Sequence, residues 1–199
     1  YSCSIEPIML FTVYERRLAD MLEYYKRFFE YMNFFGARYF ILHGNKPQNS
    51  FPDEKYFERY LILQETAERF GVCVLQENVA RCTSRDLNFL VKMKEALKDK
   101  AAFVLDVKQA HRSGYDPLET VRALGENIRH VHFSDYGKAG DCLKFGFGEY
   151  DNFTLFSELK KYGYDGNVII ELYKGSHDGA KDLAENCGKL NYFLAGNNF

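Results

Sequence analysis

Val72-Cys-Val-Leu-Gln-Glu-Asn78 is a short apolar run that stops at a carboxylate. A continuous run of this kind, rich in Val, suits a strand covered on both faces, as in a parallel sheet. The same design recurs at Tyr39–Leu42, Ala102–Leu105, Ile128–Phe133 and Val168–Leu172, with a weaker candidate at Ser2–Glu6. Longer amphipathic stretches lie between these runs. Tyr14–Phe35 places Leu18, Leu22, Tyr25 and Phe29 at three- and four-residue spacing, the period of one helix face. Asp53–Phe70, Ser84–Leu97, Pro117–Gly125, Phe153–Tyr162 and Gly179–Leu194 read in the same way. Gly36, Gly71, Gly125 and Gly163 stand where helices should end before the next strand. Strands alternating with helices predict βαβ units and a parallel sheet, either doubly wound or closed as a barrel.

The polar residues narrow that choice. Each clear strand carries a metal-capable side chain at or just past its C-terminal end: His43, Glu77, Asp106, His132 and Glu171. In a parallel barrel these ends share one face, where active sites are built. Singly, a His or Glu ending a strand is more often a satisfied structural group than a ligand. Buried carboxylates are costly unless paired or metal-bound, however, and five strands supplying such groups to one rim is hard to explain by packing. Three carboxylates and an imidazole suit Mn²⁺, Mg²⁺ or Co²⁺, with Zn²⁺ less favoured by so oxygen-rich a set.

Composition sets the outer bounds. The chain has 199 residues, 46% hydrophobic and 27% charged, as in an ordinary globular domain, and no linker or repeat divides it, so one domain, 1–199, is expected. A net charge of −2 gives no footprint for nucleic acid. No apolar run approaches the roughly 18 residues of a membrane span, and the start lacks the pattern of a signal peptide. Five cysteines (3, 73, 82, 142 and 187) show no CxxC spacing, which points to free thiols in a reducing cytoplasm. The aromatic residues crowded into Tyr24–Phe40 read as core.

In order and spacing these segments resemble the sugar phosphate isomerases and epimerases of the xylose-isomerase-like TIM barrel, through nearly the whole chain. Gly36-Ala-Arg-Tyr-Phe-Ile-Leu-His-Gly44 is similar to the family's third strand and Gln76-Glu-Asn78 to its fourth. Leu105-Asp-Val107 is similar to the fifth strand and His130-Val-His-Phe-Ser-Asp135 to the sixth. Phe145-Gly-Phe-Gly-Glu-Tyr150 resembles the Gly-rich loop that follows. Tyr162-Gly-Tyr-Asp-Gly166 with Ile169-Ile-Glu-Leu172 resembles the last helix-to-strand passage. The resemblance implies one divalent ion held by Glu77, Asp106, His132 and Glu171, and a sugar or sugar phosphate as substrate. Its chemistry would pass through an enediolate, with Glu77 and Glu171 as the catalytic acid/base pair. His43 would line the pocket without binding the metal, as a substrate contact or a structural group; on their own chemistry Gln109 is a candidate contact to a sugar hydroxyl, and Lys108 to a substrate phosphate unless it is simply a solvated loop lysine.

Two departures bear on that implication. Many relatives carry Asp-x-x-His on the fifth strand, whereas Gln109 stands at that spacing from Asp106 and His111 falls two residues later, in the expected loop. A Gln can hydrogen-bond a sugar hydroxyl but cannot move a proton near neutral pH. The chain is also shorter than the about 250 residues of a complete eight-stranded barrel, and its first clear strand corresponds to the family's third. The first β/α unit is therefore expected to be missing, through truncation or with a partner covering the open edge, which allows a homodimer. Lys144 is a further candidate phosphate contact, Gly146-x-Gly148 reads as a plain turn, and Asp135 either orients His132 or caps the following turn. Glu149 and Asp151 are expected to begin the next helix. Two other functions remain open at this stage: a non-catalytic sugar-binding module, and an abasic-site endonuclease, which the missing ligands and the balanced charge disfavour.

Overall fold

The computed structural model describes residues 2–3 and 10–199. The chain forms two compact units, Tyr1–Val104 and Leu105–Phe199.

In the first unit the elements are β1 (Ser2–Cys3), α1 (Glu15–Phe34), β2 (Tyr39–Leu42), α2 (Asp53–Glu68), β3 (Cys73–Glu77) and α3 (Leu87–Leu97), followed by the start of β4 (Phe103–Asp106). Neighbouring strands pair in parallel in the order β1-β2-β3-β4, through Ser2↔Tyr39, Tyr39↔Cys73 and Glu77↔Val104 among other positions. The expected strand Ser2–Glu6 is present as Ser2–Cys3; its remaining residues lie outside the described ones. The expected run Val72–Leu75 shifts to Cys73–Glu77, because Gln76 and Glu77 continue the ladder with β4.

Helices form here because one face of each can be buried. Leu18, Tyr25, Phe29 and Met32 cover the inner side of α1, and Phe40 of β2 sits edge-on to Tyr25 and Phe29 at 5.6 and 5.5 Å. Only part of the aromatic run is core, however. Tyr24, Tyr31, Phe34 and Phe35 stay exposed, Phe34 by 82%, because the run is longer than the single helix face that meets the strand. Gly36 and Gly71 follow α1 and α2 with φ of +69°, the left-handed backbone that ends a helix at no steric cost.

The buried amide of Gln76 holds the end of β3. Its Nε2 donates to the carbonyls of Leu42 (2.9 Å), His43 (3.2 Å) and Glu77 (3.0 Å), and its Oε1 accepts from Tyr56 Oη at 2.6 Å. Gly44 makes room for this arrangement, since a Cβ there would lie 2.3 Å from the Tyr56 hydroxyl.

The second unit continues from the end of β4 through α4 (Val107–Arg112), α5 (Pro117–Leu124), β5 (Ile128–Phe133), β6 (Asp135–Gly137), β7 (Gly140–Leu143), α6 (Asn152–Lys161), β8 (Val168–Ile170) and α7 (Ala180–Gly196). β5 and β8 run parallel, pairing Val131↔Val168 through Phe133↔Ile170. Asp116 and Asp151 cap α5 and α6 by accepting the N–H groups of Leu118 (2.9 Å) and Thr154 (3.0 Å), worth about 1 kcal/mol each. Asp151 thus begins α6 as expected, whereas Glu149 lies before the helix. Phe133 of β5 packs on Phe145 and Phe156, and Phe193 of α7 packs on the same two rings.

Three features depart from the sequence reading. α4 occupies residues expected to be loop, so Lys108, Gln109 and His111 are helical. β6 and β7 form an antiparallel hairpin that was not anticipated. The last strand ends at Ile170, so Glu171 is the first residue beyond it.

Replacing Gln76 with Leu removes the acceptor of the buried Tyr56 hydroxyl and a donor from three carbonyls, of which His43 keeps Ser84 Oγ and Glu77 keeps the Val79 N–H. Loss of about 2–3 kcal/mol is expected, measured by urea unfolding at neutral pH, with Tyr56→Phe in the Gln76→Leu background recovering part of it.

Candidate metal centre

In the second unit, three of the sequence-predicted residues meet. Asp106 is the last residue of β4 and also the cap of α4: its Oδ1 accepts the Gln109 N–H at 2.8 Å. Strand and helix thus share this residue with no loop between them, which fixes the carboxylate at the strand end. His132 is the fifth residue of β5. Glu171 is held by its backbone, whose N–H donates to the Phe133 carbonyl at 2.9 Å. Asp106, His132 and Glu171 each offer one ligand atom within 4.8 Å of the others. His132 Nδ1 stands 3.3 Å from Glu171 Oε2.

Lys108 enters the same cluster. Its side chain is 1% exposed, with Nζ 3.7 Å from Asp106 Oδ2 and 3.6 Å from Glu171 Oε2. The ring of Tyr173 lies beneath it, with the centroid 4.7 Å from Nζ. The Tyr173 ring is fixed in turn: its hydroxyl accepts from Arg112 Nη1 at 2.8 Å, and Arg112 is clamped by Asp141 through Nε–Oδ2 (2.5 Å) and Nη2–Oδ1 (2.9 Å). Tyr173, Arg112 and Asp141 were not singled out from sequence. Residues 112, 141 and 173 carry no local pattern that would link them.

The charges in this cluster shape one another. The His132 imidazole, 3.3 Å from its carboxylate, with further help from Asp106 and the Lys108 charge, holds Glu171 well below its usual 4.5, at about 2, against the opposing effect of burial. For Lys108, burial favours the neutral amine, but the carboxylates of Asp106 and Glu171 outweigh it and raise its pKa.

The donor set fits a divalent cation. Two carboxylates and an imidazole converge, and Glu171 Oε2 is buried without a hydrogen bond. Its polar neighbours, His132 Nδ1 at 3.3 Å and Lys108 Nζ at 3.6 Å, stand too far off to replace the lost water in full, a cost that a cation would offset. Ligands of this mixture suit Mn²⁺, Mg²⁺, Co²⁺ or Zn²⁺.

In the first unit, Glu77 ends β3, buried, with Oε2 3.1 Å from His43 Nε2. The His43 carbonyl accepts from Ser84 Oγ and Gln76 Nε2, so the loop bearing this imidazole is tied at its backbone.

The other polar residues noted in the sequence serve structure. Asp135 takes the N–H of Tyr136 (2.9 Å) and of Gly146 (3.0 Å), and the amide of Asn152 (3.3 Å), so it anchors the turn. Gly148 lies against that carboxylate, where a Cβ would come within 2.3 Å of Oδ1. The Lys144 ammonium is taken up by Asp182, at 2.9 Å from both carboxylate oxygens.

Parallel β/α units that carry polar side chains at the C-terminal ends of their strands are the architecture of an α/β barrel. The chain belongs to the xylose isomerase-like TIM barrel family, whose model matches residues 8–191. Among solved structures it resembles a D-tagatose 3-epimerase-like protein at 21% identity and a TM-score of 0.76, covering 99% of this chain and 78% of that one. It also resembles the IOLI protein, solved with a bound zinc atom, at 18% identity and a TM-score of 0.77, covering 100% and 76%. A third likeness is to 3-keto-D-glucoside 4-epimerase, YcjR, from E. coli, at 16% identity and a TM-score of 0.75, covering 96% and 78%. No functionally curated protein sequence matches the chain. Among the described residues no helix is long and apolar enough to cross a membrane, and Cys142 and Cys187 are free thiols.

The depressed pKa of Glu171 gives a signed prediction. Because the folded value lies below the ordinary one, its contribution to stability is complete above about pH 4.5 and is lost as pH falls toward 2. In a chelator-treated protein, Glu171→Gln should flatten unfolding free energy against pH across that window, relative to wild type, and leave the slope above pH 6 unchanged.

Proposed function

We propose that the chain is a divalent-metal-dependent isomerase or epimerase acting on a sugar or sugar phosphate. The observation that carries this reading is the convergence of Asp106, His132 and Glu171 at strand ends, with ligand atoms within 4.8 Å, in a chain of the xylose isomerase-like barrel family. Glu77 is the proposed fourth ligand. It ends β3 in register with Val104, and β4 carries Asp106 two residues further on. Two fold neighbours, an epimerase-like protein and a keto-glucoside epimerase, support a sugar substrate, and the zinc-bound neighbour supports a divalent ion.

A bound ion would supply the positive charge that polarises a carbonyl and stabilises negative charge on adjacent oxygens. The chain's own residues would do the proton work. Glu171, kept ionised by His132, accepts the proton from the carbon beside the carbonyl. Glu77 returns a proton to the other face of that carbon, so configuration inverts with no net change in protons. Gln109 offers an amide that donates to and accepts from sugar hydroxyls. His43, beside Glu77, and Lys108 are the other proposed substrate contacts.

Two linked measurements test the reading. Chelator-washed protein reconstituted with Mn²⁺, Mg²⁺ or Co²⁺ should hold about one ion per chain, lost in Glu171→Gln. Exchange of the substrate C–H proton with deuterated solvent, screened over ketoses and their phosphates by NMR, should fall by about 10²–10⁴ in Glu77→Gln and in Glu171→Gln. Unimpaired exchange in either variant removes that glutamate from the mechanism. A folded wild type that takes up no ion would leave a non-catalytic sugar-binding barrel as the better account.

A further inference from the structure

Lys108 is a buried charge whose place between two proposed metal ligands is not explained by contact with substrate. Its ammonium is 1% exposed and lies at 3.6–3.7 Å from oxygens of two proposed ligands, yet makes no hydrogen bond. An ammonium has three donors and is strongly hydrated in water. Burying it without a hydrogen bond is tolerable only because the carboxylates surround it, so it substitutes for a missing positive charge rather than serving as a structural tie. A small divalent ion bonds carboxylate oxygens at about 2.0–2.1 Å, so an ion on Glu171 Oε2 would stand within about 6 Å of an unmoved Lys108 Nζ. Cations that close in a buried site repel strongly.

The same side chain has somewhere else to rest. Its Nζ lies over the Tyr173 ring at 4.7 Å, within range of a cation–π contact. That ring is half-exposed and fixed by the Arg112–Asp141 pair. A flexible four-carbon stem can carry the ammonium along such a surface to water.

We infer that Lys108 is a built-in competitor for the metal: its ammonium neutralises Asp106 and Glu171 when no ion is bound, and a divalent ion binds by displacing it toward solvent across Tyr173. This rests on the proposed metal site and adds an internal device that sets its affinity and guards against adventitious loading.

The test uses the whole chain with Mn²⁺ alone as probe, titrated by calorimetry at low ionic strength. Lys108→Met and Lys108→Gln, two replacements that share only the loss of charge, should each bind Mn²⁺ at least tenfold more tightly than wild type. The wild type supplies a readout that needs no variant. Acetylation of Lys108 by acetic anhydride, followed by peptide mass spectrometry, should rise at least fivefold on saturation with Mn²⁺, while other lysines stay constant. Unchanged or weaker binding in the folded variants overturns the inference, and so does labelling of Lys108 that is flat with Mn²⁺. If wild type binds Mn²⁺ and Glu171→Gln does not, either negative result sinks the role of Lys108 alone. If no folded form binds Mn²⁺, the metal site and the inference fall together.

Discussion

The desolvated carboxylate of Asp106 is the constraint on which the candidate site turns. A buried carboxylate needs compensation for lost water, and Asp106 finds it from two directions. One oxygen takes the Gln109 N–H and so starts α4. The other faces the Lys108 ammonium, which α4 places there as the second residue of its first turn. Without the cap, a six-residue helix of mixed polarity has little reason to form, since helices this short are marginal in water. Without the helix, Lys108 would not reach the cluster. Backbone capping and active-site electrostatics are therefore one arrangement.

The first unit solves a similar problem by other means. Gln76, buried between strands, satisfies carbonyls at the end of β2 and β3 and draws its own acceptor contact from Tyr56. Polar satisfaction at the strand ends is thus built into the layer beneath Glu77 and His43. Both residues sit on backbone that is already hydrogen-bonded, so their side chains are spared from holding up the fold.

Much of this was legible in the sequence, and the reasons it was not elsewhere are physical. The strands announced themselves because a strand buried on both faces must be apolar throughout, so Tyr39–Leu42 and Ile128–Phe133 were placed with the bounds observed. The long helices showed through their buried stripes. α4 did not, because Val-Lys-Gln-Ala-His-Arg is too short to display a period, and its cause lies in a cap that only the folded chain makes. The hairpin of Asp135–Gly137 and Gly140–Leu143 lacks the alternation that identifies strands. At the site, residue types at strand ends picked out Asp106, His132 and Glu171. The depth of Lys108 was invisible, because a lysine beside a strand end reads alike whether it points to water or to carboxylates. The support from Arg112, Asp141 and Tyr173 depends on residues far apart in the chain.

The shared residue between β4 and α4 also bears on how such a protein can change over evolution. Connections at the C-terminal ends of barrel strands are where new specificities usually arise, since their lengths vary freely. Here no connection exists to vary: an insertion after Asp106 would break the cap, turn α4 and carry Lys108 out of place in one event. Diversification at this strand is limited to substitution, with Gln109 the position most open to it. Gains and losses of length must fall elsewhere, as in the ten-residue stretch between β2 and α2, where the chain has slack to lose.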